Sequence, residues 1–302
     1  MHALRCQEFS KGTSLQKVWL HRLENEGQGE KGRPVSAPPE RSVNFKAAIL
    51  RMEGTNCEEE SFFSLKYSGF DPEYVHVKEI ESGKRKLDDF SLIFIPGGFS
   101  GGDYIRAGAI FGARLLSSRG KEMMEYIESE KPVIGVCNGF QVLTEMGILP
   151  DTEGNTEREV ALTVNKSGRF ECRYTYIRIK SQNAIMKQFS GQDSTWLVPV
   201  AHSEGRVMFR DNDEYKKLER SNQIPFVYSA PDGSESEYPW NPNGSFMGIA
   251  GLSNRKGNVI GLMPHPERIY FDNGQTGRFG KKSQTFGKLF FDQLYRYVAD
   301  LN

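Results

Sequence analysis

Cys137 has a setting that the other three cysteines of this 302-residue chain do not share. It stands in the segment G-V-C-N-G, where an apolar run gives way to a helix-like stretch. A nucleophile framed by two glycines occupies a tight strand-to-helix turn, because a Cβ at Gly135 or Gly139 would strike neighbouring backbone. The turn exposes the sulfur at a strand end, and the amino end of the following helix favours its thiolate form. The pattern predicts a cysteine nucleophile, and an inert core cysteine is the plainer alternative.

The remaining cysteines have weaker settings. Cys6 lies in a polar amino-terminal segment, and Cys172 lies in an alternating strand pattern that predicts a packing role. Cys57 begins a predicted helix near a strand end, so it is expected near the same site, but no second glycine frames it. The chain has no C-x-x-C pair, so neither a zinc site nor any other metal site is predicted, and a disulfide scaffold is not favoured. This cysteine usage fits a reducing, cytosolic compartment.

A cysteine nucleophile usually needs a histidine base, and the base needs an orienting group. Of the five histidines, His265 follows the apolar run NVIGLM and is expected at a strand end, between two prolines that hold its backbone extended. In an extended chain residues i and i+2 point the same way, so Glu267 is expected beside it. A carboxylate there fixes the imidazole tautomer and stabilises imidazolium. A structural rim histidine is the alternative, and His202 in PVAHSEGR ranks second, as a residue that contacts substrate or a partner.

The third element of the predicted site is the segment IPGGFS, residues 95 to 100. A buried strand ends there in two glycines, so backbone N–H groups can approach a ligand closely. Gly98 is predicted to supply one oxyanion donor, and the backbone N–H of Asn138, next to the nucleophile, the other. A plain tight turn is the alternative, since Gly-Gly pairs are common in turns.

The elements that must position these residues form an α/β pattern. From Phe45, short apolar runs such as FKAAILRM, SLIFIPGG and KPVIGV alternate with helical stretches, which predicts βαβ units on a parallel sheet. EYVHVKEI is predicted as a strand, and AGAIFGARLLSS and KEMMEYIESE as two helices. After Pro150 the sequence pattern changes to one that predicts antiparallel strands, and an amphipathic helix ends the chain. The predicted fold is an open, mostly parallel sheet flanked by helices, with antiparallel strand additions.

Composition limits the classes of function. Lys plus Arg and Asp plus Glu both number 39, so no overall charge points to nucleic acid, and no apolar run approaches the length of a membrane span. Residues 1–44 are polar and rich in Gly, Pro and Glu, which predicts a disordered extension, with a targeting peptide as the alternative. Residues 45–302 are predicted to form one domain.

Several segments together resemble the class I, or triad, glutamine amidotransferase family. GVCNGFQ and PHPER match the family as a whole, and RMEGTNC, GGFSGGDYIRAGAI and NPNGS resemble a branch that serves purine biosynthesis. The resemblance runs from about residue 45 to the carboxyl end. The family commonly has an aromatic residue where this chain has Gly101, and the first 44 residues have no identifiable counterpart in it.

The resemblance implies a role for each matching residue. Cys137 matches the nucleophile, His265 the base and Glu267 the acid of the triad. Gly98 and Asn138 match the oxyanion-hole backbones, and Gln141 matches a residue that helps to hold the substrate glutamine. The implied reaction hydrolyses glutamine to glutamate and ammonia through a thioester on Cys137.

The resemblance also implies partners and cofactors. Ammonia is expected to pass to a synthetase subunit, which uses ATP and magnesium to convert formylglycinamide ribonucleotide into its amidine, and a small third subunit bridges the two. This chain has no G-x-x-x-x-G-K-[ST] pattern, so no cofactor is expected in it. Two alternatives remain: a stand-alone cysteine hydrolase or peptidase, and a non-catalytic binding or chaperone relative whose elbow cysteine senses redox state.

Overall fold

The computed structural model describes residues 44–151, 158–181, 184–187, 195–235, 237–271 and 285–302. Within these ranges the strands are β1 (Phe45–Arg51), β2 (Phe70–His76), β3 (Leu92–Ile95), β4 (Val133–Val136), β5 (Val160–Val164), β6 (Glu171–Ile179), β7 (Trp196–His202), β8 (Glu204–Phe209), β9 (Phe226–Ser229), β10 (Ile249–Ser253) and β11 (Val259–Leu262). The α-helices are α1 (Glu58–Tyr67), α2 (Val77–Glu81), α3 (Ala109–Glu128), α4 (Asn138–Glu145), α5 (Asn212–Arg220) and α6 (Phe286–Leu301). The predicted extension, residues 1–44, lies outside the described residues except for its last one.

Nine strands form one sheet in the order β2-β1-β3-β4-β11-β10-β9-β6-β7, and β5 pairs with β8 in a second, two-stranded sheet. The first five strands of the large sheet are parallel, and the remaining pairs are antiparallel. The predicted fold class, an open and mostly parallel sheet with helices and antiparallel additions, is therefore confirmed. None of the helices described is long and apolar enough to cross a bilayer.

The parallel register brings three strand ends together. Ile95 of β3 pairs with Gly135 of β4, and Val136 of β4 pairs with Leu262 of β11. The chain leaves all three strands at the same edge of the sheet, which in open α/β sheets is the edge where ligands bind. The predicted site residues all follow these strands within a few positions.

The antiparallel half folds back toward this edge. The edge strand β7 lies against the segment after β11, because the backbone N–H of His265 donates to the carbonyl oxygen of Pro199 at 2.9 Å. The carbonyl oxygen of Ala201 lies 3.6 Å from the sulfur of Cys137. The end of β7 is thus a wall of the site, although it is far from β4 in the strand order.

The terminal helix α6 joins the two halves of the core. Its buried face carries Phe286, Phe290 and Leu294, as its helical spacing predicts, and Phe291 is buried as well. Phe291 stacks on Phe94 of the parallel half at 5.8 Å between ring centroids, and Phe286 meets Phe226 of the antiparallel half edge-on at 5.5 Å. Burial of four such side chains contributes roughly 1.5–3 kcal/mol each.

Three local predictions differ from the structure. The second half of EYVHVKEI is the helix α2 rather than a strand, since His76 caps it by accepting from the N–H of Lys78. The two predicted helices after residue 107 are one helix, α3, with a kink at Arg119. Cys172 is exposed on β6 rather than packed, because its side chain falls on the outward face of the strand.

The close approach of α4 to β3 predicts that the stability of the fold depends steeply on Gly139. A Cβ on Gly139 would lie 1.9 Å from the carbonyl oxygen of Ile95, and backbone cannot move aside as a flexible side chain can. We expect Gly139→Ala to lower the free energy of unfolding by about 3 kcal/mol or more, measured by urea denaturation. The control is Gly120→Ala within α3, where the new methyl meets only the Leu116 side chain and should change stability by about 1 kcal/mol or less. Equal stability of the two variants would contradict the proposed close packing.

Candidate active site

Cys137 occupies a strained elbow between β4 and α4. Its φ and ψ angles are 51° and −104°, a region that a non-glycine residue enters only when the surroundings hold it there. Its N–H donates to the carbonyl oxygen of Leu262 at 2.8 Å, and its carbonyl oxygen accepts from Phe140 and Gln141 in the first turn of α4. A Cβ on Gly135 would lie 2.5 Å from the carbonyl oxygen of Gly139, so both framing glycines are required for the turn.

His265 and Glu267 are in direct contact. The distance from His265 Nδ1 to Glu267 Oε1 is 2.6 Å, and both side chains are almost fully buried. The sequence predicts this contact from extended backbone, but the chain turns into a short 3₁₀ helix at Pro266–Ile269, and this turn brings the carboxylate to the ring. Because an ionised carboxylate only accepts, Nδ1 carries the proton and Nε2 keeps its lone pair. Nε2 has no hydrogen-bond partner among the described residues.

Gly97 marks the point at which the side chains of Cys137 and His265 approach each other. A Cβ built on this residue would lie 2.8 Å from His265 Cε1 and 3.3 Å from Cys137 Cβ. Both side chains are therefore within contact range of one point, and the absence of a side chain at Gly97 leaves that space open. The structure thus brings together the three residues that the sequence nominates for nucleophile, base and acid.

Burial, rather than the helix, dominates the charge state of this group. Burial raises the pKa of the Cys137 thiol to about 12, although the nearby Arg268 charge and the N–H of Asn138 act in the opposite direction. Burial and the positive charge of Arg268 also lower the pKa of His265. Burial therefore opposes the thiolate form that the amino end of α4 favours in the unliganded chain. At neutral pH the chain holds a thiol beside a neutral imidazole.

A charged layer lies directly behind the triad. Arg268 Nη2 is 3.0 Å from the sulfur of Cys57, and its Nε lies 3.9 Å from a carboxylate oxygen of Glu60. Burial raises the pKa of Glu60 to about 7, against the lowering effect of Arg268. Cys57 is near the site, as its position after β1 predicts. The Cys57 sulfur lies within 4.8 Å of potential metal-ligating atoms of His265 and Glu267, which also lie within that distance of each other. This spacing could hold a metal ion, but the positive charge of Arg268 beside the sulfur disfavours a bound cation.

The two predicted oxyanion donors have different surroundings. Asn138 is the first residue of α4, and its N–H acts to lower the pKa of the Cys137 thiol. Gly98 has a φ of 145° and forms an isolated antiparallel β-bridge with Thr55. Two hydrogen bonds make this bridge: the N–H of Phe99 donates to the carbonyl oxygen of Gly54, and the N–H of Asn56 donates to that of Gly97. Those bonds belong to the flanking residues, so the N–H of Gly98 itself takes no part in the bridge.

A polar network supports this side of the site. Asn138 Oδ1 accepts from the N–H and the hydroxyl of Ser100, and its Nδ2 donates to Gln141 at 3.1 Å. Gln141, the predicted substrate-binding residue, in turn donates to the carbonyl oxygen of Glu204 at 2.8 Å. Burial and the nearby Glu204 raise the pKa of Asp103 to about 6. The turn that contains Gly101 is thereby attached to the nucleophile's own helix.

Gly101, where the family commonly has an aromatic side chain, has a φ of 64°, which favours glycine. A Cβ there would lie 3.1 Å from the side chain of Ile110. Its N–H donates to the carbonyl oxygen of Glu53 at 2.9 Å, so the loop has a defined shape without the aromatic residue.

Sequence reasoning missed several groups that the fold places around the triad. Arg268 and Glu204 both stand inside segments singled out for other residues, PHPER and AHSEGR, and a charged residue next to a strand-end histidine is the signal that was available. Glu60 belongs to a run of three glutamates with no distinguishing neighbour, so only the tertiary structure identifies it. His202, which the sequence ranks second as a residue that contacts substrate or a partner, is also buried, and its Nδ1 faces Asn165 rather than Glu267.

Comparison with known proteins gives one consistent result. Residues 44–298 match the model of the CobB/CobQ-like glutamine amidotransferase domain. The chain is 51% identical over 251 residues to "Phosphoribosylformylglycinamidine synthase subunit PurQ" of Picrophilus torridus, covering 83% of this chain and 97% of that one. It is 45% identical over 270 residues to the protein of the same description from Archaeoglobus fulgidus, covering 85% and 98%. Among solved structures, "Structure of PurLQS from Thermotoga maritima" matches with a TM-score of 0.65 and 30% identity, over 85% of this chain and 100% of that one.

The charge state of the thiol is testable by spectroscopy. Because the pKa of Cys137 is raised to about 12, we expect no thiolate absorbance from this residue in the unliganded chain between pH 6 and 9. The measurement is the difference in absorbance near the thiolate band between the wild-type chain and Cys137→Ser, which removes only this contribution. A titration step with a midpoint below pH 8 would show that burial does not control the sulfur.

Proposed function

The chain belongs to the CobB/CobQ-like glutamine amidotransferase family, and we propose that it hydrolyses glutamine at Cys137, His265 and Glu267 to supply ammonia to a phosphoribosylformylglycinamidine synthase. The observation that supports these roles most strongly is the buried contact between His265 and Glu267, next to a cysteine held in a strained elbow. In this arrangement the lone pair of His265 Nε2 is available as a base.

The first half-reaction forms a thioester. As the sulfur of Cys137 attacks the side-chain amide carbon of glutamine, His265 Nε2 takes the thiol proton, so thiolate and imidazolium arise together. The carbonyl oxygen becomes an anion that the N–H groups of Gly98 and Asn138 stabilise, and loss of one such donor typically costs about 3 kcal/mol. The carbon–nitrogen bond then breaks, and the proton on His265 goes to the departing nitrogen to give ammonia.

The second half-reaction restores the cysteine. Water attacks the γ-glutamyl thioester while His265 Nε2 takes one of its protons, and the carbon–sulfur bond breaks to release glutamate. The same proton returns to the sulfur, so neither charge nor proton is left on the enzyme. Glu267 stabilises imidazolium in both halves through its contact with Nδ1.

The partners follow from the complex named in the comparisons. The synthetase subunit is proposed to receive ammonia and to hold the ATP and magnesium that the ligation needs, with a small subunit bridging the two. The proposed compartment is the cytosol. The relatives are described as synthase subunits, so the alternative of a stand-alone hydrolase has no support from them.

The closed state of the site is consistent with activation by a partner. Cys137 exposes 5% and His265 1% of its surface, so both side chains are nearly covered by their surroundings. The loop from Gly97 to Arg106 begins beside Cys137 and His265 and is bonded through Ser100 to Asn138.

Replacement of the nucleophile separates ammonia production from synthesis. We expect Cys137→Ser in the assembled complex to abolish glutamine-dependent formation of the amidine and to leave ammonia-dependent formation within about twofold of wild type. The reason is that only ammonia production needs the thiol. The measurement is the synthesis rate with glutamine or with an ammonium salt as the nitrogen source.

The matched control is Cys172→Ser, which changes an exposed cysteine outside the site and should leave both rates unchanged. Glutamine-driven synthesis by the Cys137→Ser complex would show that another residue is the nucleophile. Loss of the ammonia-dependent rate as well would show that the substitution disturbs assembly.

An exposed apolar surface next to the site is proposed as the contact with the synthetase. It consists of Phe99, Tyr104, Ile105 and Phe170, of which Tyr104 is 89% and Ile105 74% exposed. The rings of Phe99 and Phe170 lie 6.3 Å apart. Exposed apolar side chains clustered on one surface are typical of protein interfaces.

The loop from Gly97 to Arg106, which bears all of this surface except Phe170, is held to the domain by hydrogen bonds and an ion pair. Arg106 makes a paired salt bridge with Glu145, and Ala107 N–H donates to Glu204 Oε2 at 3.2 Å. Ser100, in the same loop, bonds the side chain of Asn138 beside the nucleophile. A synthetase that covers this surface would therefore also contact the loop that bonds Asn138.

Ile105→Asp is expected to weaken assembly without unfolding the chain. A charge at a desolvated apolar contact costs about 2 kcal/mol, so the Kd for the synthetase should rise roughly 30-fold, measured by titration calorimetry. The control is Leu301→Asp, which changes an exposed apolar residue at the end of α6 and should leave the Kd unchanged. If both variants bind as wild type does, the synthetase contacts another surface.

A further inference from the structure

His202 is a second buried histidine at the site, and the proposed reaction gives it no role. It is the last residue of β7 and exposes 3% of its surface. The residue before it, Ala201, places its carbonyl oxygen 3.6 Å from the Cys137 sulfur, and Pro199 accepts the N–H of His265. One short stretch of strand therefore contacts both Cys137 and His265, and His202 is the next residue along it.

The hydrogen bonds of Asn165 fix the tautomer of His202. Asn165 Nδ2 donates to the carbonyl oxygens of Arg169 and His202, at 2.9 and 2.8 Å. The amide oxygen of Asn165 is therefore the atom that faces His202 Nδ1, at 3.1 Å. An amide oxygen only accepts, so the single proton of the neutral ring is on Nδ1.

The other ring nitrogen is consequently an acceptor. His202 Nε2 is buried and has no hydrogen-bond partner among the described residues. Leaving a buried acceptor unpaired is unfavourable, and buried polar atoms without partners are rare enough to require an explanation. Burial and the proximity of His265 lower the pKa of His202 to about 3, so the ring stays neutral at physiological pH.

We propose that His202 Nε2 accepts a hydrogen bond from the nitrogen that leaves the substrate, first as the amide group of bound glutamine and then as ammonia. This inference rests on the proposed glutaminase function. It assigns different tasks to the two histidines: His265 takes and returns protons, whereas His202 only accepts a hydrogen bond.

The chemistry of ammonia fits such an acceptor. Ammonia is a nucleophile for the synthetase only while it is unprotonated. His202 has one proton, which is bonded to Asn165, and the ring does not acquire a second one at neutral pH. It can therefore orient the leaving nitrogen without converting it to ammonium.

Two substitutions separate this role from a purely structural one. In His202→Asn the side-chain nitrogen can occupy the Nδ1 position and keep the bond to Asn165, but nothing reaches the Nε2 position. In His202→Gln the amide oxygen can reach the Nε2 position, but the donor to Asn165 is lost. Each variant keeps one of the two hydrogen-bonding positions of the ring.

We expect His202→Asn to lower kcat/KM for glutamine about tenfold in the assembled complex, with a melting temperature close to that of wild type. His202→Gln should recover most of that activity in spite of a lower melting temperature. The opposite order, with the Asn variant active and the Gln variant impaired, would overturn the inference, because His202 would then act only through Asn165. Equal activity in the two variants would overturn it as well.

A second measurement does not depend on how the variants fold. In ¹⁵N spectra of the Cys137→Ser chain in the complex, the Nε2 resonance of His202 should move upfield when glutamine is added, as expected for a lone pair that gains a donor. No movement, with glutamine binding demonstrated by calorimetry, would overturn the inference.

The controls distinguish this inference from the proposed function. If the wild-type complex makes no amidine from glutamine, the glutaminase function itself fails. If the wild-type complex is active and ammonia-dependent synthesis is unchanged in both His202 variants, any difference between them concerns glutamine and its leaving nitrogen alone.

Discussion

The shared carboxyl-end edge of β3, β4 and β11 is the constraint on which the rest of the site depends. The parallel pairing of Val136 with Leu262 fixes where Cys137 and His265 leave the sheet. The approach of Gly139 to the carbonyl oxygen of Ile95 leaves no room for a side chain between α4 and β3. Because the sulfur and the imidazole lie at the ends of these elements, a shift of one strand by a single residue would reverse the side-chain directions and separate them.

The site is built in a buried environment, and this decides its charge state. The amino end of α4 and the charge of Arg268 both favour a thiolate, but the desolvation of a nearly buried sulfur outweighs them. A neutral thiol beside a neutral imidazole is unreactive until a substrate is present, and attack then transfers the proton to His265.

Two segments join the triad to the rest of the molecule. The loop from Gly97 to Arg106 bears the exposed apolar residues on one side and, through Ser100, holds Asn138 on the other. The edge strand β7 brings the carbonyl groups of Pro199 and Ala201 against His265 and Cys137, and His202 is the next residue along it. The parallel half of the sheet thus positions the triad, while the antiparallel half and the loop form the walls that a substrate and a partner meet.

The sequence by itself determined the parts that depend on local pattern. Apolar runs ending in glycines predicted β3 and β4, and the framing of Cys137 together with the i, i+2 spacing of His265 and Glu267 predicted the triad. Local pattern could not predict the helix α2, where a side-chain cap at His76 overrides a strand-like alternation. Only the tertiary structure decided the protonation of Cys137, the layer of Cys57, Glu60 and Arg268, and the position of His202. The physical reason is that burial, long-range charge and the folding back of an edge strand arise from residues far apart in the chain, and no spacing along the sequence encodes them.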